Sequence, residues 1–592
     1  MLEAFSRQAD FTGHKNALKR AEMQMSTHLR FRFHSGMILP GNRFPLFRGM
    51  PQAQAMSTAS TLPAARRTNR KLTIRRIAAW IASRATDPGT SLWFVIGFAL
   101  VHAVLWTLIL VKLKAAQDIH MDVAEAYAWG QRFLLGYGKH PPLSGWIAGV
   151  WFRIFPVTNW STYALAMTTV SFALVVCWLI ALRVVDRRRA FFMVVMLALY
   201  PIFNFKGFKY NADLAQLVPL PLLVLAYLNA FEKRSFKSGL WLGFAGMLAL
   251  MTKYWVVTMI GAVGLAALIH PQRTQFLRSP APWVAIGTMA VAMIPHLVWL
   301  EEVDFVPFIY AGDVYALSSR ALNVQLVVGY VVHNLGLLAI PVVLGLVALL
   351  LGSVPWRPSD VLARIWSRGP NPAVNLSQAL NVWIIQLIVA IGPPLGALAF
   401  TVYIKTDWGI PLFFLVPLAL VAIPSLRFPR MALFSITAIW FVATIVTLIA
   451  APSIATQEIA SNHVGGSTYA ARSELARELT QTWQDRFHSR WAVVVARSDI
   501  GEPMTFYSPD HPASLVPGEA WSSGLTSLDE AKRLGFIGVC DTTDPVFLKP
   551  CEAWMAEHAK DAEPLVMTTM RFFNGHPGPS TVWKVYLVPP AK

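Results

Sequence analysis

The chain has 592 residues, of which 55% are hydrophobic and only 14% are charged. A soluble protein of this length needs more polar surface to cover its core, so this composition excludes a fully soluble fold. Its 22 tryptophans suit a protein with many membrane–water boundaries, where amphipathic rings settle. The formal charge of +19 comes from short Arg and Lys clusters between apolar segments, which indicates positive-inside topology rather than nucleic-acid binding.

The first 88 residues show no sustained apolar periodicity and contain a dense cationic run from Arg66 to Arg76. This composition predicts a basic segment that is disordered or loosely amphipathic and is held near anionic lipid headgroups by charge. No apolar stretch follows Met1 closely enough for a cleavable signal peptide. We therefore expect residues 1–88 to be cytoplasmic.

Apolar runs suited to membrane spans begin near residue 91 and recur to residue 451. They lie at 91–113, 161–184, 190–205, 212–231, 239–269, 281–300, 323–352, 379–403, 408–424 and 432–451. The 239–269 run is too long for one span and contains Lys253, so we divide it there and predict about eleven transmembrane helices within residues 89–452. This count puts the basic clusters on one side, and the 114–140 loop and the tail on the other.

Beyond residue 452 the charges return and Gly and Pro interrupt the sequence. The strand-like runs 491–496 (WAVVVA) and 581–588 (TVWKVYLV) alternate with helix-like runs, which predicts a small soluble α/β domain over residues 453–592. Cys540 and Cys551 lie close together in this tail, and a tail outside the cytoplasm would allow them to form a disulfide.

The loop after the first apolar run concentrates residues that carry chemistry. Seven titratable side chains fall within 23 residues: Asp118, His120, Asp122, Glu125, Arg132, Lys139 and His140. Asp122 and Glu125 are three residues apart, so on a helix they share a face, where a carboxylate pair can hold a metal or make one member a base. His120 adds a third ligand for a divalent metal, although the spacing matches no zinc signature. A solvated loop helix with an acidic first turn is the alternative.

The same loop, over residues 114–145, resembles the first periplasmic loop of GT-C class glycosyltransferases that use lipid-linked sugars. The similar branch includes family 39 protein O-mannosyltransferase-like enzymes and the lipid A aminoarabinose and galacturonosyl transferases. The matching residues are Glu125, Ala126, Tyr127, Trp129, Gly136, Tyr137, Lys139, His140, Pro141, Pro142 and Leu143. The family has an Asp at the position of Ala124, and Asp122 is its nearest substitute here, so the identity of the base stays open.

Two further segments resemble motifs of these enzymes. Residues 205–223 are similar to the second carboxylate motif, with matching residues Lys206, Lys209, Asn211 and Asp213. An Asp at a helix start is also a common cap. Residues 243–255 are similar to a Gly-rich helix that ends in Ser/Thr-Lys-Tyr. This motif places Lys253 in an apolar run, where a lysine is costly unless it snorkels or meets an anion.

The resemblance implies a single inverting displacement that moves a sugar from a polyprenyl phosphate to an extracytoplasmic acceptor. The base would be Asp122 by preference, and otherwise Glu125 or Asp213. Cations aimed at the departing phosphate would lower the barrier. The candidates are Lys139, His140, Lys206, Lys209, Lys253 and Arg132. Members of the family differ in metal use, so a divalent metal is an open expectation and no other cofactor is expected.

The likeness favours lipid A, lipopolysaccharide or another glycolipid as the acceptor. It also implies a multi-pass protein of a bacterial inner membrane, with a cytoplasmic N-terminus and a periplasmic C-terminal domain. The alternatives are a protein O-mannosyltransferase-like enzyme, a lipid or sugar transporter, and a non-catalytic scaffold. Against a transporter, the sequence has no evident inverted repeat, and its titratable residues concentrate in an external loop rather than at mid-membrane.

Overall fold

The computed structural model describes residues 64–353, 365–366, 369, 372–461, 468–518 and 525–591. There the chain forms a bundle of helices followed by a small α/β domain. Among the described residues, seven helical segments are long and apolar enough to cross a membrane. They are Ser91–Leu113, Asn159–Val184, Ala212–Lys233, Pro280–Glu302, Arg320–Leu351, Leu376–Phe400 and Met431–Ser461.

The helices that precede the α/β domain are numbered in chain order. The first eight are α1 (Ala64–Thr86), α2 (Ser91–Leu113), α3 (Met121–Gly130), α4 (Leu143–Ile154), α5 (Asn159–Val184), α6 (Arg187–Ala198), α7 (Ala212–Ala215) and α8 (Pro219–Lys233). The others are α9 (Phe236–Leu250), α10 (Val257–Ile269), α11 (Arg273–Leu277), α12 (Pro280–Glu302), α13 (Val306–Tyr315), α14 (Arg320–Leu351), α15 (Leu376–Phe400), α16 (Val416–Val421) and α17 (Arg430–Ser461).

The basic N-terminal segment is described only in part. Residues 1–63 lie outside the described residues, and the expectation that they are disordered stays a prediction. Residues 64–86 of this segment form the regular helix α1. This segment contains no Gly or Pro and is rich in Ala and Arg, which are good helix formers.

Four of the eleven predicted spans, among them the 190–205 and 408–424 runs, do not form helices of spanning length in the described residues. The 190–205 run becomes α6 and the beginning of a series of short 3₁₀ turns. The 408–424 run becomes further 3₁₀ turns and the short α16. Both runs are mostly buried within the bundle. Their hydrophobicity therefore comes from internal packing, which a hydropathy pattern cannot distinguish from exposure to lipid.

The 239–269 run divides where it was predicted to divide. Helix α9 ends at Leu250 and α10 begins at Val257, with Lys253 in extended backbone between them at φ −164°. Each of the two helices is shorter than a typical span. The break allows the lysine side chain to leave the apolar run at the end of the bundle where α3 lies.

Helices α9 and α12 approach each other closely because α9 presents two glycines four residues apart. A Cβ added at Gly239 would lie 2.5 Å from the carbonyl oxygen of Ala281, and one added at Gly243 would lie 2.4 Å from that of Ala285. Small residues at this spacing allow close helix packing in membranes. The α9–α12 contact therefore depends on the absence of side chains at these two positions.

Helix α17 continues beyond residue 452 to Ser461, so the predicted domain boundary falls inside a helix. The elements that follow are α18 (Arg472–Phe487), β1 (Val493–Val495), α19 (Ser498–Tyr507), β2 (Ala513–Leu515), α20 (Leu528–Leu534), β3 (Phe536–Asp541), α21 (Pro545–His558), β4 (Leu565–Thr569), β5 (Phe572–Phe573), β6 (His576–Pro577) and β7 (Thr581–Val588). The predicted strands at 491–496 and 581–588 correspond to β1 and β7.

The five-stranded sheet has the order β2-β1-β3-β7-β4. Strand β1 runs parallel to β2 and β3, whereas β7 runs antiparallel to β3 and β4. Cys540 in β3 and Cys551 in α21 are joined by a disulfide, with their Cα atoms 5.8 Å apart. The predicted fold class, a polytopic helical bundle with a small C-terminal α/β domain, is confirmed.

We expect Gly243→Ala and Gly261→Ala to change stability in opposite directions. The first substitution forces α9 and α12 apart, which should cost about 1–3 kcal/mol. At Gly261 in α10 a Cβ meets no atom within 4 Å, so alanine should stabilise the helix by up to about 1 kcal/mol. Thermal unfolding of the two detergent-solubilised variants measures both changes, and an equal change in both would contradict the close-packing argument.

Candidate active site

Helix α3 carries the two carboxylates of the first loop. Its N-cap is His120, whose Nδ1 accepts a hydrogen bond from the backbone N–H of Asp122 at 3.1 Å. Ala124, at the position where the related pattern has an Asp, is fully buried in the core of the bundle. Asp122 and Glu125 instead reach charged partners outside that core. Helix α3 thus buries position 124 in the apolar core and places position 122 beside charged partners. This arrangement is consistent with a carboxylate at 122 rather than at 124.

Asp122 contacts two residues of the turn that precedes α7. The Nζ of Lys209 lies 3.1 Å from Oδ2 of Asp122, and Nδ2 of Asn211 donates to the same oxygen at 2.9 Å. Asn211 also caps α7, because its Oδ1 accepts from the N–H of Leu214 at 3.0 Å. Asn211 is thus the cap of this helix, and the neighbouring Asp213 is left for another partner.

The two carboxylates of α3 differ in their tendency to ionise. Burial raises the pKa of Asp122, but the charges of Lys209 and Lys405 and the hydrogen bond from Asn211 outweigh it and hold that pKa well below the usual range. Burial also raises the pKa of Glu125, and there Lys139, with Nζ 2.6 Å from Oε1, offsets it only in part. Asp122 is therefore ionised at neutral pH, and Glu125 is the harder of the two to ionise.

Asp213 pairs with the lysine at the break between α9 and α10. Its Oδ1 lies 2.7 Å from Nζ of Lys253, and both side chains are largely buried, at 14% and 7% exposed. The Lys253 ammonium also lies 4.9 Å from the ring centroid of Trp408, within the range of a cation–π contact. Lys253 thus meets an anion and an aromatic face at the end of the bundle.

A fourth ion pair joins Lys206 to Asp407, with 3.0 Å between Nζ and Oδ1. Burial raises the pKa of Asp407, but Lys206 and Lys209 more than offset this and lower it below its ordinary value. In the sequence, Asp407 stands directly before the apolar 408–424 run. The structure brings this carboxylate into the same group of charges as Asp122.

Lys405 is the residue of this group that the sequence analysis missed. Its charge contributes to lowering the pKa values of His120, Asp122, His140 and Asp407, so it acts on the whole group. For the part of the chain that is described, the structure records no ion pair for Lys405, whereas each of the other lysines has one. Its only sequence signal is its position two residues before Asp407.

These side chains form what we call the lysine cluster. Its members among the described residues are Lys139, Lys206, Lys209, Lys253 and Lys405 with Glu125, Asp122, Asp213 and Asp407. Four of the lysines are paired with the four carboxylates. One positive charge, that of Lys405, is left over.

Two predicted phosphate-binding residues do not add positive charge to the cluster. Burial, helped by Lys253 and Lys139, lowers the pKa of His140 to about 3, so its imidazole is neutral at physiological pH. Arg132 is nearly half exposed, and its closest acidic partner is Glu530 of α20 at 3.5 Å. His140 therefore brings no positive charge to the lysine cluster, and Arg132 is paired outside it. A role for either residue in binding the donor phosphate stays a prediction.

The predicted metal ligands are not arranged as a metal site. Among the residues that the structure describes, no group of three or more His, Cys, Asp or Glu side chains could hold a metal ion. Asp122 and Glu125 each have an ammonium within about 3 Å, and Nδ1 of His120 accepts a backbone hydrogen bond. These interactions involve Oδ2 of Asp122, Oε1 of Glu125 and Nδ1 of His120.

Comparison with known proteins gives matches to both the sequence and the fold. Residues 139–299 match the family model of dolichyl-phosphate-mannose-protein mannosyltransferase. Lipid A galacturonosyltransferase RgtD from Rhizobium johnstonii is 23% identical over 251 residues, which cover 40% of this chain and 49% of that protein. The chain thus matches about half the length of this relative.

Two crystal structures of ArnT from Cupriavidus metallidurans share the fold. The structure bound to undecaprenyl phosphate has a TM-score of 0.51 at 12% identity and covers 83% of this chain and 98% of ArnT. The apo structure has a TM-score of 0.52 at 12% identity, with coverage of 83% and 97%. The chain therefore shares the GT-C fold of these structures, and part of its sequence is similar to membrane glycosyltransferases of that class.

Proposed function

We propose that this chain is an inverting glycosyltransferase that moves a sugar from a polyprenyl-phosphate donor to an extracytoplasmic acceptor. The observation that carries the proposal is the lysine cluster, in which an ionised carboxylate, Asp122, lies beside an excess positive charge. The displacement needs a base that is deprotonated at neutral pH and a positive field around an anionic leaving group. The cluster offers both at one end of the bundle.

In this reaction the acceptor oxygen bonds to the anomeric carbon while the bond from that carbon to the phosphate oxygen breaks. The bonding electrons leave with the polyprenyl phosphate, and the acceptor proton passes to the carboxylate of Asp122. Attack from the face opposite the leaving group inverts the anomeric configuration. A bound phosphate adds negative charge among the lysines, which raises the pKa of Asp122 and makes it a stronger base when the donor is present.

Lys405 is the cation that we assign first to the donor phosphate. The other lysines of the cluster are paired with carboxylates, whereas no ion pair is recorded for Lys405 in the described residues. Negative charge on the phosphate grows as the glycosidic bond breaks, so this ammonium stabilises the transition state more than the bound donor. Glu125 and Asp213 are the other candidates for the base, and each is held by a lysine at 2.6–2.7 Å.

The acceptor that we propose is lipid A, lipopolysaccharide or another glycolipid, which the likeness to a lipid A galacturonosyltransferase supports. A Ser or Thr hydroxyl of a protein is the alternative acceptor, supported by the family model that matches residues 139–299. We further propose that the lysine cluster and the C-terminal domain face the periplasm of a bacterial inner membrane. The Cys540–Cys551 disulfide supports an oxidising compartment for that domain.

Asp122→Asn should abolish most turnover while the protein stays inserted and folded. The amide has nearly the same shape but accepts no proton, so we expect a loss of about 10²–10⁴-fold. Mass spectrometry of membrane lipids and lipopolysaccharide should show the loss of one sugar-sized mass both in cells without the gene and in cells with this variant. Asp485→Asn, at an exposed residue of α18, is the control. A normal lipid profile with Asp122→Asn would reject Asp122 as the base.

Lys209→Met should move the acid limb of the turnover–pH profile to higher pH. Lys209 is the foremost group that lowers the Asp122 pKa, so without it burial dominates and the carboxylate takes up its proton at a higher pH. Activity should therefore be lost earlier on acidification. Lys206→Met, which removes the partner of Asp407, should shift this limb less. An unchanged acid limb in Lys209→Met would show that Asp122 does not control it.

Lys405→Met should lower turnover by about a hundredfold, the usual effect of removing one charge-stabilising group from a transition state. Lys405→Arg keeps the charge and should retain most of the activity. The control is Lys112→Met, because Lys112 is an exposed lysine near the same end of the bundle. Kinetics with a purified polyprenyl-phosphate sugar measure all three variants. Equal turnover in Lys405→Met and Lys112→Met would remove Lys405 from the phosphate site.

A further inference from the structure

The C-terminal domain contacts the segment that leads directly into α3. Asp118 lies three residues before α3, and its side chain is 1% exposed. Its Oδ1 accepts from Nη2 of Arg571 at 2.5 Å, and its Oδ2 accepts from the backbone N–H of Arg472 at 2.8 Å. Its own N–H donates to the carbonyl oxygen of Thr468 at 2.7 Å. Three hydrogen bonds thus join this one residue to the C-terminal part of the chain.

The neighbours of Asp118 are held in the same way. The backbone N–H of Ile119 donates to the hydroxyl of Tyr507 at 2.7 Å, and that hydroxyl donates to Oδ1 of Asn159 at 3.0 Å. Nε2 of Gln117 donates to the hydroxyl of Tyr469 at 2.5 Å. Three consecutive residues, 117–119, are therefore fixed by the C-terminal domain immediately before the cap of α3.

Arg571 joins this segment to the core of the C-terminal domain. Besides Asp118, its guanidinium contacts the hydroxyl of Ser473 and lies 3.1 Å from the carboxylate of Glu474, both in α18. Only 11% of its side chain is exposed. Arginine suits this position because its planar fork can hold several oxygens in fixed directions.

Helix α19 of the C-terminal domain also packs directly on α3. The ring of Tyr127 meets that of Phe506 edge to face, with centroids 5.3 Å apart. Both rings are buried. The domain therefore contacts α3 along its length as well as at its start.

From these contacts we infer that the C-terminal domain positions Asp122, and that Asp118 and Arg571 are positioning residues for the base. Asp122 follows Asp118 by four residues and lies in the first turn of a ten-residue helix. A shift of the 117–119 segment moves that turn relative to Lys209, which comes from a different part of the chain. The catalytic part of this inference rests on the proposed function, whereas the structural part does not.

The experiment uses the full-length protein in detergent and compares Arg571→Met with Arg497→Met. Arg497 is a matched control because it is also a largely buried arginine of this domain with two carboxylate partners, Asp499 and Asp544. Hydrogen–deuterium exchange of peptides spanning 117–130 is measured in both variants. We expect about tenfold faster exchange there in Arg571→Met and little change in Arg497→Met.

Turnover is the second readout. With Arg571→Met we expect kcat to fall about tenfold and the donor KM to change little, because the lysines that would bind the phosphate do not contact Arg571. The acid limb should move to higher pH as Asp122 separates from Lys209. Arg571→Lys keeps the cation beside Asp118 and should recover part of the loss.

Asp118→Asn removes the charge and keeps only one of the two acceptor oxygens. This variant tests the same link if Arg571→Met does not fold. It should give an intermediate rise in exchange and an intermediate loss of kcat. Unchanged exchange of residues 117–130 in Arg571→Met or Asp118→Asn would overturn the inference, whatever the activity. If the wild type transfers no sugar, the proposed function fails, and the exchange data still decide whether the domain holds α3.

Discussion

The structure depends on the cost of placing charges at the end of an apolar bundle. An ion removed from water is stabilised only when a partner of opposite charge and good geometry replaces the lost hydration. The lysine cluster meets this condition by pairing four ammonium groups with four carboxylates. Removing one member of a fully buried pair typically costs about 3–5 kcal/mol, because the other charge is left without a partner.

The ion pairs also hold together parts of the chain that are distant in sequence. Lys209 and Asp122 are separated by the whole of α4, α5 and α6, and Lys206 and Asp407 by most of the bundle. The ends of helices that are remote in sequence are thereby held together around one small volume. The same contacts set the ionisation of the carboxylates, so folding and the electrostatics of the site have a common cause.

Much of this could be predicted from the sequence. A lysine within an apolar run must leave it, which is why Lys253 marked the break between α9 and α10 correctly. The alternating pattern of residues 581–588 predicted strand β7. These predictions succeeded because each depends on a local physical requirement that the neighbouring residues reveal.

The remainder depends on tertiary packing. Hydropathy predicts spans at 190–205 and 408–424 because it is the same for a helix that faces lipid and for one buried among other helices. The sequence does not show that His140 is neutral, because its low pKa results from burial in the folded chain. The sequence does not reveal Lys405, because most of the side chains on which its charge acts are distant in sequence. Nor does it reveal that Arg132 lies apart from the lysine cluster, because its partner Glu530 is also distant in sequence.

The pairing of the lysines also bears on how the proposed enzyme releases its product. A group of free ammonium ions would hold a lipid phosphate so tightly that its departure would limit the rate. Here the carboxylates act as internal competitors, since each lysine that turns toward a phosphate gives up a partner 2.6–3.1 Å away. In the proposed reaction, the returning carboxylates would help to displace the spent lipid once the sugar has been transferred. They would thereby keep the affinity for the phosphate low enough for repeated turnover.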